Sequence, residues 1–120
     1  MGYIIYNANN MAKGDYLGEF EQIVLLTVLR LGEGAYGALI RAEIERITDR
    51  SPAIGAIHAT LDRLERKRLI SSWMGEPTPE RGGKAKRHFR IERSGILALK
   101  DALKTLERLR AGVLLGCRAS

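Results

Sequence analysis

Few side chains in this sequence are able to do acid–base or metal chemistry, and they do not cluster. The histidines are His58 and His88, and Asp62, four residues after His58, would share one helix face with it. Two ligands are too few for a closed metal site. The glycines at 82–83 lie between predicted strands rather than before a helix, so they form no phosphate-binding loop. We therefore expect no enzyme, no cofactor and no bound metal.

The residue types from Ser51 to Arg68 fit a different chemistry, the recognition of DNA. Serine is a favourable helix cap and proline a favourable first helical residue, so Ser51 and Pro52 predict a helix start. Small residues then let the helix approach base edges in a major groove, while the cations behind them meet phosphates. An ordinary solvated amphipathic helix is the alternative interpretation. An apolar stripe is expected to face the core: Ile54, Ile57, Leu61 and Leu64.

The DNA-binding interpretation assigns roles to individual residues of this helix. His58 either contacts DNA, with an affinity that then depends somewhat on pH, or is a partly buried side chain. Four residues are expected near base edges: Ala53, Ala56, Thr60 and Arg63. Ser51 belongs to the same surface, and Arg66 and Lys67 are expected on phosphates.

The charge balance of the chain favours a polyanionic partner. Its 20 Lys and Arg residues exceed its 14 Asp and Glu residues, for a net charge of +6, which suits nucleic acid or an anionic membrane surface. The longest apolar run, Ile23–Leu29, is far shorter than the ~20 residues that span a bilayer, so no membrane partner is expected. The single cysteine, Cys117, allows no internal disulfide, which fits a reducing cytoplasm.

Periodicity predicts two helices before the one that starts at Ser51, and the second of them makes a helix-turn-helix with it. Residues 1–16 are expected to be a tail, either disordered or added to the natural chain. The helix 17–31 is apolar on nearly all sides, so a second subunit is expected to cover part of it. The helix 36–48 directs four residues inward, namely Leu39, Ile40, Ile44 and Ile47.

A strand, a loop and a second strand follow at 69–74, 75–84 and 85–91. Such a hairpin beside a recognition helix is a wing, whose cations reach phosphates or a minor groove. An ordinary solvated hairpin is the alternative. The wing residues expected to bind DNA are Arg81, Lys84, Lys86 and Arg87.

A last helix from about Gly95 to Leu115, capped by Ser94, has an apolar stripe close to a coiled-coil seam. Little of the chain remains to cover that stripe, so we predict a homodimer that reads two half-sites about 34 to 36 Å apart, or a multiple of that. The residues expected at the dimer interface are Leu17, Phe20, Val24, Ile96, Leu99, Leu103, Leu106 and Leu109.

The predicted fold class is α+β, mainly α with a small β-hairpin: a winged helix-turn-helix at 17–92, followed by a dimerisation helix and tail at 93–120. This order of elements, from Leu17 to about Val113, resembles the PadR family of winged-helix transcription regulators. The residues that carry the resemblance are Gly18-Glu19-Phe20-Glu21, Ala35-Tyr36-Gly37, Leu61-Asp62-Arg63-Leu64, the run 75–83 with Lys86-Arg87, and Gly95.

The resemblance implies a dimeric bacterial repressor in the cytoplasm that binds a double-stranded operator and is often released by a small-molecule effector. The chain departs from the family pattern at His58, where a tyrosine is usual, at Arg68, where a glycine usually ends the recognition helix, and at His88-Phe89, where an aromatic pair is common. A winged-helix module that binds an acidic protein instead of specific DNA is the alternative function. The aromatics available for an effector pocket are Tyr16, Phe20, Tyr36 and Trp73.

Overall fold

The computed structural model describes residues 16–76 and 85–116. The predicted tail at 1–15, the wing tip at 77–84 and Cys117 lie outside the described residues. The helices are α1 (Glu19–Leu31), α2 (Gly37–Ile47), α3 (Ile54–Arg66) and α4 (Arg93–Arg110), and the strands are β1 (Ala35–Tyr36), β2 (Ile70–Met74) and β3 (Arg87–Ile91). The predicted α+β fold class, with a helix-turn-helix and a wing, is confirmed.

One hydrophobic core joins the first three helices to the sheet. The α3 side chains Ile57, Leu61 and Leu64 are fully buried there, as is Phe89 from β3. The stripe prediction is wrong for Ile54, which is 42% exposed because it is the first residue of α3, outside the helix packing. Ile47 is also exposed rather than inward, because it is the last residue of α2.

The sheet has three antiparallel strands in the order β1-β3-β2. The two strands form the predicted hairpin, and they pair from Ile70 with Ile91 to Met74 with Arg87. The two-residue strand β1 was not predicted, because Ala35 and Tyr36 are too few to show a periodicity. It pairs with Phe89 and His88 and so attaches the start of α2 to the wing.

The recognition helix begins later than the sequence predicted. Ala53 is the N-cap, and its carbonyl oxygen accepts the first helical hydrogen bonds, from the amides of Ala56 and Ile57. Ser51 therefore does not cap α3, and Pro52 is not its first residue. The Pro52 carbonyl instead accepts a hydrogen bond from Arg41 Nε at 2.8 Å, which ties the connecting segment to α2.

The end of α3 is a Schellman motif built without glycine. The Leu69 amide donates to the Leu64 carbonyl and the Arg68 amide to the Glu65 carbonyl, the pair of bonds that defines this motif. Arg68 has φ 63°, a left-handed conformation that costs a residue with a Cβ roughly 1–2 kcal/mol. Burial of Leu64 and Leu69 on either side of the turn stabilises this conformation.

The last helix begins at Arg93 with Glu92 as its N-cap, not at Gly95 with Ser94 as the cap. The Ser94 hydroxyl donates to the Arg68 carbonyl at 2.6 Å, so its role is to join α4 to the end of α3. Gly95 is needed because a Cβ at this position would collide with the Leu69 carbonyl and would lie 2.8 Å from Ile91 Cγ1. The helix ends at Arg110 rather than Leu115, before Gly112 at φ 79°.

Two residues predicted at a dimer interface belong to the core of the single chain instead. Val24 and Leu99 are 0% and 3% exposed, since α1 and α4 turn these positions toward the same core. Neither side chain has surface to offer a partner. Among the described residues, no helix has the length and apolar character needed to cross a membrane.

Replacing Arg68 with glycine is expected to stabilise the fold by about 0.5–1 kcal/mol, because glycine adopts positive φ without strain but is more flexible when unfolded. Urea unfolding measures the change. The matched control is Arg66→Gly in the last helical turn, which should destabilise by about 1 kcal/mol. Equal destabilisation by both variants would contradict a strained Arg68.

Candidate nucleic-acid interface

The N-terminal turns of α3 present small side chains to solvent. Ala53 and Ala56 are exposed as predicted, and so is Ser51 just before the helix. Thr60 is only 2% exposed, so its predicted place near base edges is wrong. Position 60 follows Ile57 by three residues and precedes Leu64 by four, which places it on the buried stripe.

Two cations of α3 are bound to a carboxylate of α1. Lys67 Nζ lies 3.0 Å and Arg63 Nε 3.3 Å from Glu21 Oε2, and the Glu21 residue is only 7% exposed. Arg63 also donates to the Thr60 hydroxyl. Arg63 and Lys67, predicted near base edges and on phosphates, are thus paired within the chain, although the Arg63 side chain is still 47% exposed. Arg66 is also exposed.

Glu21 is ionised by its surroundings despite being buried. Burial raises the pKa of its carboxyl. The Gly18 amide, the Lys67 ammonium and the Arg63 guanidinium together lower the pKa by more than burial raises it, so it lies below the ordinary 4.5. The amide of Gly18 donates to Glu21 Oε1 at 2.9 Å, which also fixes the first turn of α1. One carboxylate therefore orders both the start of α1 and the end of α3.

His58 lies over the start of α2. A Cβ added at Gly37 would stand 2.6 Å from His58 Cε1 and 2.8 Å from Nε2, so the imidazole packs against bare backbone. The residue is exposed, which favours the first interpretation, a histidine accessible to a ligand, over a buried one. The Tyr36-Gly37 pair thus has a packing reason, the close approach of α3.

The wing cations behave differently from one another. Lys86 is exposed, with its ammonium 5.0 Å from the centre of the Tyr36 ring. Arg87 pairs with Asp62 at 3.1 Å and with Glu65, both on α3, while its side chain stays 39% exposed. Its predicted contact with DNA phosphates remains a prediction. Arg81 and Lys84 lie outside the described residues.

A row of three rings on the outer face of the sheet was not predicted. His88 stacks on Trp73 at 5.7 Å and meets the edge of Tyr36 at 5.8 Å. Arg90 lies over the Trp73 ring at 5.4 Å. The alternation of side chains along β3 could have predicted this row, since it places His88 and Arg90 on one face of the strand. Tyr36 and Trp73 thus belong to this row, while Phe20 packs against the core.

The described residues offer no centre for metal chemistry. They contain no group of three or more His, Cys, Asp or Glu side chains that could hold an ion. What α3 and the wing bring together is small side chains, cations and ion pairs, which suits binding to a polyanion.

Comparison with known proteins identifies the fold. No protein-family model matches the chain, and no curated protein matches it significantly. A transcriptional regulator from Clostridium thermocellum is 25% identical with a TM-score of 0.64, over 75% of this chain and 84% of that one. A PadR-family transcriptional regulator from Eggerthella lenta gives 22%, a TM-score of 0.62, and 79% and 82% coverage.

The chain has the fold of the PadR-family transcriptional regulators. A PadR-like regulator from Bacillus cereus supports this at a TM-score of 0.63, with 17% identity over 78% of this chain and 86% of that one. The predicted resemblance to the PadR family is therefore confirmed in the fold.

Replacing Glu21 with glutamine is expected to lower the free energy of unfolding at pH 7 by about 1–2 kcal/mol, since a charge-assisted network is broken while both cations stay partly solvated. Because the folded-state pKa of Glu21 is lowered, its contribution is complete above the unfolded pKa and disappears as the pH falls through the folded pKa. Thermal unfolding from pH 7 to pH 3 should show wild type and Glu21→Gln converging below about pH 4.5.

The matched control is Glu19→Gln, which removes another α1 carboxylate whose partner, Arg50, is 3.0 Å away in solvent. It should have a smaller effect at pH 7 than Glu21→Gln, because exposed ion pairs contribute little. Curves for the two variants that coincide at every pH would contradict the role given to Glu21.

Proposed function

We propose that this protein is a DNA-binding transcriptional regulator that binds a pseudo-palindromic operator as a homodimer. The observation that carries the proposal is the exposed small-residue surface at the start of α3. Ala53, Gly55, Ala56 and Ala59 are all exposed there. Side chains of this size let a helix enter a major groove closely. The likeness to the 25%-identical transcriptional regulator supports the same function.

The proposed contacts divide into base-facing and phosphate-facing groups. The start of α3 lies in the groove, with Ala53 and Ala56 against base edges and Ser51 and His58 at the margin. Arg66 near the end of α3 and Lys86 on the wing, both exposed, contact phosphates. Arg81 and Lys84 are assigned to phosphates from the sequence alone.

A second copy of the chain is the proposed cover for the end of α4. Leu103, Leu106 and Leu109 are 43%, 57% and 73% exposed on successive turns. Exposed leucines at spacings of three form a stripe that a partner helix covers. Two α1 side chains, Leu26 and Leu29, are exposed as well. The remaining residues proposed for this interface are Leu17, Phe20 and Ile96, which are half-buried in the single chain.

Repression and release by a small-molecule effector are proposed from the PadR resemblance. A regulator of this kind acts on the chromosome, which places it in the cytoplasm. No residue is assigned to the effector, because the aromatic rings at Tyr36 and Trp73 pack in the row on the wing sheet.

A protein-interaction module is the second candidate function. Trp73 and Met74 are 37% and 63% exposed at the end of β2. Exposed Trp and Met side chains are enriched where proteins bind other proteins. This surface lies on the wing, so a protein partner and DNA would compete for it.

Lys86→Ala is expected to weaken binding to all DNA sequences about equally and to reduce the salt slope of log K by about 0.9, because each phosphate that a cation neutralises releases a counterion. Fluorescence anisotropy measures this with the duplex upstream of the protein's own coding region and a scrambled duplex, at several salt concentrations. Lys104→Ala on α4 is the matched control and should leave the slope unchanged. Equal salt slopes for wild type and Lys86→Ala would refute the assignment of Lys86 to a phosphate. The proposed function itself would be refuted if selection from a random pool of duplexes gave no duplex that the wild-type protein prefers.

Leu106→Glu is expected to convert the dimer into a monomer, because a charge at the centre of an apolar seam cannot be paired there. Light scattering on a size-exclusion column measures the mass before and after the change. The control variant Lys104→Glu changes the charge of the same helix by more than Leu106→Glu does, and it should leave the dimer intact. A wild-type protein that elutes as a monomer at all concentrations would exclude the proposed dimer.

A further inference from the structure

The side chain of Arg87 is the centre of a network that joins the wing to α3. Its Nη1 donates to Asp62 Oδ1 at 3.1 Å, its Nη2 to Glu65, and its Nε to the Ser72 hydroxyl at 3.2 Å. The Ser72 hydroxyl donates in turn to Glu65 Oε2 at 2.8 Å. Three elements, α3, β2 and β3, are thus connected through one guanidinium.

The geometry of this network matches a guanidinium and no other side chain. All three nitrogens of the Arg87 guanidinium donate within the chain, and its carbon lies 4.9 Å from the centre of the Phe89 ring. Phe89 is fully buried in the core, so the stacked guanidinium is held against a rigid surface. A lysine would supply the charge but neither the planar fork nor the stacking.

The rest of the contact between the wing and α3 is limited. β2 and β3 join the core through Ile70 and Phe89, near the base of the hairpin. Toward its tip, Met74 is exposed and pairs with Arg87 itself. The charged network is therefore the outermost described connection between the hairpin and the recognition helix.

We propose that Arg87 is a positioning residue that holds the wing at a defined angle to α3, rather than a ligand of DNA phosphates. This inference rests on the proposed function, because the angle matters when α3 and the wing meet one duplex together. Asp62 and Glu65 are its partners, so the acidic residues of α3 hold the wing in place. Exposed Lys86, the residue just before β3, remains available for phosphates.

The first test needs no DNA, because Trp73 is the only tryptophan of the chain and lies on the wing. Time-resolved fluorescence anisotropy of Trp73 reports motion of the hairpin relative to the whole protein. Arg87→Ala and Arg87→Lys should both increase the fast local component. Arg46→Ala, which removes a similar two-nitrogen pair with Glu43 on α2, should not.

Urea unfolding of a double-mutant cycle tests the same connection energetically. Arg87→Ala is combined with Asp62→Asn in one cycle and with Glu65→Gln in another. In each cycle the change in unfolding free energy of the double variant is compared with the sum of the changes for the two single variants. A positioning network predicts strong non-additivity, because the second change finds its partner already gone. Additive changes, together with an unchanged Trp73 anisotropy in Arg87→Ala, would overturn the proposal.

The second test separates positioning from phosphate binding with a duplex selected from a random pool by the wild-type protein and an unselected duplex of equal length. Positioning predicts that Arg87→Ala and Arg87→Lys both bind the selected duplex about tenfold more weakly, comparable to the effect of one mismatched base pair. Binding to the unselected duplex and the salt slope should change little. A phosphate ligand would instead show wild-type behaviour for Arg87→Lys and a reduced salt slope for Arg87→Ala, and that result would overturn the proposal.

The outcomes distinguish this inference from the proposed function. If the wild-type protein selects no duplex, the proposed function fails, and the Trp73 and urea measurements still decide whether Arg87 positions the wing. If selection succeeds and Arg87→Lys matches the wild type in both affinity and Trp73 motion, the proposed function stands and the positioning role fails.

Discussion

The burial of Ile57, Leu61 and Leu64 along one side of α3 is the interaction on which the rest of the structure depends. Burial of each aliphatic side chain contributes roughly 1.5–3 kcal/mol to the stability of the fold. These three side chains belong to the one hydrophobic core that the helices and the sheet share. Their burial fixes the rotation of α3 about its axis. Once that rotation is set, the small residues at the start of α3 face solvent, and the charged residues of its later turns face α1 on one side and the wing on the other.

Opposite charges then determine how α3 is attached to its neighbours. Glu21 of α1 binds Arg63 and Lys67, while Asp62 and Glu65 of α3 bind Arg87 of the wing. The two networks lie on different sides of the helix and use carboxylates from different elements. Much of the positive charge in this region is therefore paired inside the chain, and the net charge of +6, which already counts each such pair as neutral, comes from the other cations.

The close contacts at two glycines show how the same packing accommodates unusual residues. Gly37 lets the imidazole of His58 lie against the start of α2, and Gly95 lets α4 approach the Leu69 carbonyl. Ser94 completes this junction by donating to Arg68, the residue that bears a left-handed conformation without being glycine. The departures from the family pattern at His58 and Arg68 are thus accommodated locally and leave the fold unchanged.

The sequence by itself determined the order of the helices and the hairpin, the stripe from Ile57 to Leu64 and the exposed small residues of α3, because these follow from the periodicities of helix and strand. Tertiary structure decided the rest. The strand β1 forms only because β3 offers a partner, and α3 begins at Ile54, with Ala53 rather than Ser51 as its N-cap. Glu21 is 42 residues from Arg63 and 46 residues from Lys67 along the chain, and Asp62 is 25 residues from Arg87. No local sequence pattern could therefore show which cations are paired.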